Sequence, residues 1–175
     1  EKLGIGGPLG TFGDLVKYMR LIKHAVLAEW EEAATLAAEV AQGLARSTRH
    51  FVVPVFRYLE VIIAAEQAIG ADDATREASI TKVRANVAMF QTWSKLNPTG
   101  QAHFLHHVEA ELAALEGDLA TAETRFDQAA EAAHTLDVGY AEAMACERAA
   151  RWFDYAQKAR TARSFIVDAH YAWVR

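Results

Sequence analysis

The stretch Gly117-Asp118-Leu119-Ala120-Thr121-Ala122-Glu123 decides the fold class. A glycine suited to closing one helix is followed at once by an aspartate suited to accepting from the free N–H groups that open the next. That pairing marks a tight helical hairpin. Before it, Leu105, Val108, Leu112 and Leu115 recur at helical spacing; after it, Leu119, Ala122, Phe126, Ala129 and Ala133 do the same. Outward from this hairpin the pattern repeats along the chain. Apolar periodicity predicts helices from about Thr11 to Ala28, through Ala33 to Leu44, from Val55 to about Gly70, and from Ile80 to just before Asn97-Pro98. Two more are predicted, over roughly Tyr140 to Asp154 and Ala162 to Trp173. About eight helices result, with no sustained strand alternation. Asp72-Asp73, Asn97 and Asp137 are expected to cap the fourth, fifth and seventh helices, with Pro98 at a first helical position. Pro54 sits in the apolar run Phe51 to Phe56, so the third helix either starts near it or starts earlier and kinks. The later start is preferred.

An internal repeat underlies the series. Ala122, Phe126 and Ala129 recur 40 residues later as Ala162, Ile166 and Ala169, and Ala33, Ala37 and Val40 share the same spacing. Small residues there let helices approach closely while a larger one fills the gap between hairpins. The spacing is similar to that of tetratricopeptide repeats. The expected fold is all-α, with stacked antiparallel hairpins in a tetratricopeptide-like right-handed superhelix, as one domain over residues 1–175. A non-repetitive helical bundle is the alternative.

Composition narrows the function classes. At 175 residues with 52% hydrophobic and 23% charged, the chain has enough apolar content to fold around a core. Its net charge of −5 is poorly suited to displacing counterions from nucleic acid. The longest apolar runs, such as Val61-Ile62-Ile63-Ala64-Ala65, are far below the ~20 residues of a membrane span. A single cysteine, Cys146, excludes an internal disulfide and points to a reducing, cytoplasmic setting.

Further motifs carry a resemblance. Trp93-Ser94-Lys95-Leu96-Asn97-Pro98, His103 and Val108-Glu109-Ala110-Glu111-Leu112-Ala113-Ala114-Leu115-Glu116-Gly117 come first. Arg125-Phe126-Asp127-Gln128-Ala129, Glu147-Arg148-Ala149-Ala150-Arg151-Trp152-Phe153 and Ala169-His170-Tyr171-Ala172-Trp173 follow. Together they resemble the tetratricopeptide-like helical region of large bacterial multidomain signalling ATPases. Such proteins join serine/threonine-kinase-like, AAA or STAND ATPase, GAF and histidine-kinase domains. Asn97 stands where that family usually carries cysteine. The resemblance spans roughly residues 80–175 and implies a segment of a longer protein, serving as a non-catalytic interaction or signal-relay module.

Catalytic motifs are missing. No Gly-x-x-x-x-Gly-Lys-Ser/Thr occurs, and Gly4-Ile5-Gly6-Gly7-Pro8-Leu9-Gly10 lacks the lysine of a phosphate loop, so residues 1–10 are expected to be a flexible leader. Ser79-Ile80-Thr81-Lys82 fits Ser-x-x-Lys without its companion motifs. His103, His107 and Glu111 lie four residues apart, on one helical face, with ligand types suited to a metal; a polar or partly buried face is the competing account. No enzyme activity and no cofactor are expected. The expected partner is a protein or peptide, or adjoining domains of a parent chain, and neither nucleic acid nor membrane; a small-ligand sensor and a structural spacer are alternatives. Between Leu105 and Glu147 ten acidic residues accompany one basic residue, Arg125, and then Arg148, Arg151, Lys158, Arg160 and Arg163 form a basic stretch. By analogy with tetratricopeptide hairpins, Tyr18, Ile22, His107, Glu111, Glu147, Arg151 and Asp154 are expected to line a partner-binding groove.

Overall fold

The structure is a computed structural model that describes residues 12–44 and 52–175. The predicted leader at residues 1–10, and Phe51 at the start of the Pro54 run, lie outside the described residues. Eight helices and no strand occur among the described residues. They are α1 (Phe12–Val26), α2 (Trp30–Leu44), α3 (Val52–Ala68), α4 (Asp73–Leu96), α5 (Pro98–Glu116), α6 (Leu119–Thr135), α7 (Gly139–Tyr155) and α8 (Ala159–Val174). The fold is all-α, and consecutive helices joined by short turns pack as hairpins.

Contacts divide the chain into two compact units, residues 1–66 and 67–175. In the first, α1 packs on α2. Tyr18, Leu21 and Ala25 supply the apolar face of α1, and Ala33, Leu36, Ala37 and Val40 that of α2, all buried. The Lys17–Glu39 ion pair, at 2.7 Å, links their exposed edges. Pro54 falls in the first turn of α3, where a missing N–H leaves no intrahelical bond unmade, so the helix accommodates it without a break.

The second unit is a run in which each helix packs on the next, from α4 to α8, with α5 also touching α7. Its helix ends follow from a few side chains. Asp72 accepts from Thr75 N at 2.8 Å, Asn97 from Gly100 N at 3.0 Å, and Asp118 from Thr121 N at 3.1 Å. Asp137 departs from its expected role. The residue before α7 is Val138, which makes no side-chain cap, and Asp137 instead takes φ 57° to close α6.

That conformation exposes a regular device. Ala28, Gly117, Asp137 and Gln157 all have positive φ, at 55°, 85°, 57° and 59°. Each is followed by an N–H that donates five residues back: Glu29 to His24, Asp118 to Ala113, Val138 to Ala133, and Lys158 to Phe153. These are Schellman closures, and only Gly117 announces one through its residue type. Within the second unit they fall 20 residues apart, which fixes the helix-to-helix repeat at 20 and the hairpin repeat at 40.

The repeated alanines behave as their spacing requires. Ala122, Phe126, Ala129 and Ala133 are at most 1% exposed, and Ala162 and Ala169 are buried. Ile166 does not follow Phe126: it is half exposed, and Phe165 is buried in its place, stacked on Phe153 at 5.8 Å between ring centroids. α6 packs against both α5 and α7 and buries two flanks, whereas α8 packs against α7 alone.

Candidate functional site

The expected partner-facing residues are scattered. Tyr18 is buried in the first unit and Ile22 is half-buried there. His107 and Glu111, at 1% and 0% exposed, offer no surface to a partner, which corrects their expected place on a groove. Both belong to a buried polar cluster. The Glu111 carboxylate accepts from Arg148 Nε at 2.6 Å, from Arg148 Nη2 at 3.1 Å, and from Trp152 Nε1 at 2.6 Å. His107 Nε2 lies 3.5 Å from Glu111 Oε1, and its ring meets Phe126 edge-on. The reason is charge: a carboxylate removed from water requires a cation and hydrogen bonds, and Arg148 supplies both. Burial pushes the Glu111 carboxyl up, but Arg148 and His107 outweigh it and hold it at about 2. Burial also lowers His103, to about 4, and His107.

The same geometry removes the metal reading. Arg148 and Trp152 already donate to both Glu111 oxygens, and among the described residues no group of three or more His, Cys, Asp or Glu is placed to hold a metal ion. Arg148 is likewise withdrawn from the expected basic stretch, being 2% exposed. Glu147 accepts from Trp173 Nε1 at 2.7 Å and ties α7 to α8, while Arg151 and Asp154 are exposed.

The best-formed concavity lies elsewhere in the second unit. It is a groove of about 780 Å³ walled by α6 and α8 and floored by α7. Helical spacing puts Asp127, Glu131 and His134 on one face of α6. From α8, Phe165, Asp168 and Tyr171 face it, and α7 contributes Glu142 and Cys146. Small residues of α7, among them Ala143, Ala145, Ala149 and Ala150, are buried and let its neighbours close in on both sides. Cys146 is 3% exposed. Burial pushes its thiol up to about 12, helped by the carboxylates of Asp168, Glu142, Asp127 and Glu147. Burial raises the Asp127 carboxyl as well, with the Glu123 and Asp168 charges adding to it. Arg175 answers part of this charge, pairing with Glu142 at 2.5 Å and meeting His134 Nδ1 at 2.7 Å.

The groove therefore joins a negative field to two aromatic rings. It holds no buried nucleophile paired with a base: Cys146 stays a thiol, and its neighbours are carboxylates. The acidic residues were visible in the sequence as an excess between Leu105 and Glu147. Their convergence on one face of three helices was not, because it depends on the turn closures at Asp137 and Gln157. Among the described residues no helix is long and apolar enough to cross a membrane. No family model matches the chain, and neither curated proteins nor solved structures provide a match.

Proposed function

We propose that this chain is a non-catalytic helical-repeat module that binds a protein segment in the groove between α6 and α8. The observation that carries this reading is the groove itself. Its volume of about 780 Å³ accommodates several side chains, and its walls present carboxylates and aromatic rings on rigid helices. A bland, alanine-crowded face would have favoured a spacer. The resemblance of residues 80–175 to the helical region of large bacterial signalling ATPases supports a relay role within such a protein, with the repeats forming a tetratricopeptide-like superhelix in a cytoplasmic parent.

The test is retention on the full chain. Wild-type protein is compared with Glu131→Lys and Asp168→Lys, two exposed substitutions that leave the core filled. The reading requires a protein retained by wild type and lost from both variants. Retention of a metabolite without any macromolecule would replace it with small-ligand sensing.

A further inference from the structure

The 40-residue repeat superimposes one hairpin on the next, residue for residue. Gly117 and Gln157 close α5 and α7 with the same left-handed turn, and Asn97 and Asp137 hold corresponding places before α5 and α7. In this register His106 corresponds to Cys146, Arg125 to Phe165, and Gln128 to Asp168.

The earlier hairpin shows what fills that position. Arg125 of α6 lays its guanidinium across α5, where Nη1 donates to His106 Nδ1 at 3.3 Å and to Gln128 Oε1 at 2.9 Å. Its Nε lies 3.3 Å from Glu109. A guanidinium thus sits between the counterparts of Cys146 and Asp168. In the later hairpin the arginine has become Phe165, whose ring stacks on Phe153 and carries no donor. Gln128 has become the anionic Asp168. The place keeps an acceptor, gains a charge and loses its cation.

Two further observations point the same way. Asp127, Glu131 and Asp168 have no cationic partner among the described residues, although all three line the groove. The Cys146 side chain is 97% buried at the groove floor, with no hydrogen-bond partner among the described residues. A positively charged donor entering from a partner would meet Asp168 and Asp127 on opposite walls, with the thiol sulfur beneath it and Tyr171 alongside.

We infer that the α6–α8 groove recognises an arginine-bearing segment of a partner protein, whose guanidinium takes the place that Arg125 occupies one repeat earlier. This rests on the proposed interaction role and adds the chemistry of the partner.

The experiment uses the full chain and a fluorescein-labelled peptide of alternating arginine and alanine, read by fluorescence anisotropy. Three matched peptides replace arginine by lysine, by its uncharged isostere citrulline, or by glutamate. The expected result is binding of the arginine peptide at least about tenfold tighter than the citrulline peptide. Binding should weaken with added salt and fall by about tenfold in Asp168→Asn and in Asp127→Asn. Phe165→Arg restores the internal cation and should abolish binding. Circular dichroism shows whether that variant has folded, and the two exposed asparagine variants decide the matter if it has not. Equal affinity for arginine and citrulline peptides, or affinity unchanged in both asparagine variants, would overturn the inference. Binding of the citrulline or glutamate peptide in the groove would overturn it while leaving the interaction role standing. No binding of any peptide, together with no protein retained by wild type, would remove both. Lysine equal to arginine would overturn the guanidinium assignment and leave only a charge requirement.

Discussion

Replacing Glu111 by glutamine keeps its size and removes its charge, which leaves the Arg148 guanidinium 2% exposed and without a counter-ion. The lost interactions are the two guanidinium contacts at 2.6 and 3.1 Å. The Trp152 Nε1 bond at 2.6 Å retains an acceptor only if the new amide turns its oxygen that way. Breaking a buried pair from one side costs about 3–5 kcal/mol, so Glu111→Gln should remove that much stability. Arg148→Met should cost a similar amount, because it strands the carboxylate. The double variant Glu111→Leu with Arg148→Met strands no charge and orphans only the Trp152 N–H, at about 1–3 kcal/mol. The two effects should therefore fall short of adding by about 2 kcal/mol or more. Urea denaturation with linear extrapolation measures all three. The pair also predicts an acid limb. The folded carboxyl titrates at about 2, below its unfolded value of 4.5, so its contribution is complete above 4.5 and is lost as pH falls toward 2. A cost below about 1 kcal/mol for Glu111→Gln, or strict additivity, would refute the reasoning.

Other perturbations test the turns and the histidines. Gln157→Gly and Ala28→Gly relieve non-glycine residues at φ 59° and 55°, and each should stabilise by about 0.5–1 kcal/mol, seen as a higher urea midpoint. Gly100→Ala drives a Cβ into the Asn97 amide that caps α5 and should cost about 1 kcal/mol on the same scale. His103 is neutral in the fold because burial lowers it to about 4, while the unfolded chain takes up its proton near 6.5. Its effect is therefore full above 6.5, and stability declines as pH falls from 6.5 to about 4. His103→Leu should flatten that decline in melting temperature against pH; an unchanged slope would show that His103 is not its source.

Helix positions were readable because apolar spacing and capping residues agree, as at Asn97-Pro98 and Gly117-Asp118. Three of the four Schellman closures were hidden because alanine, aspartate and glutamine hold left-handed positions that glycine normally marks. Asp137 misled for the same reason: an aspartate near a helix boundary suits either side of it. The candidate groove was less legible. His107 and Glu111 looked like surface residues by type, yet burial is set by a partner 37 residues away in sequence, Arg148. Charge composition announced acidic helices without saying which carboxylates meet. Only the 40-residue register, read through the turns, brings Asp127, Cys146 and Asp168 together.

The most direct test of the groove is a nitrogen-15 chemical-shift titration of the full chain with the arginine–alanine peptide. The account predicts saturable shifts along α6 from Asp127 to His134, around Cys146 in α7, and along α8 from Phe165 to Tyr171, with the signals of α1 and α2 unmoved. Shifts centred on Arg151 and Asp154, or none at saturating peptide, would contradict it.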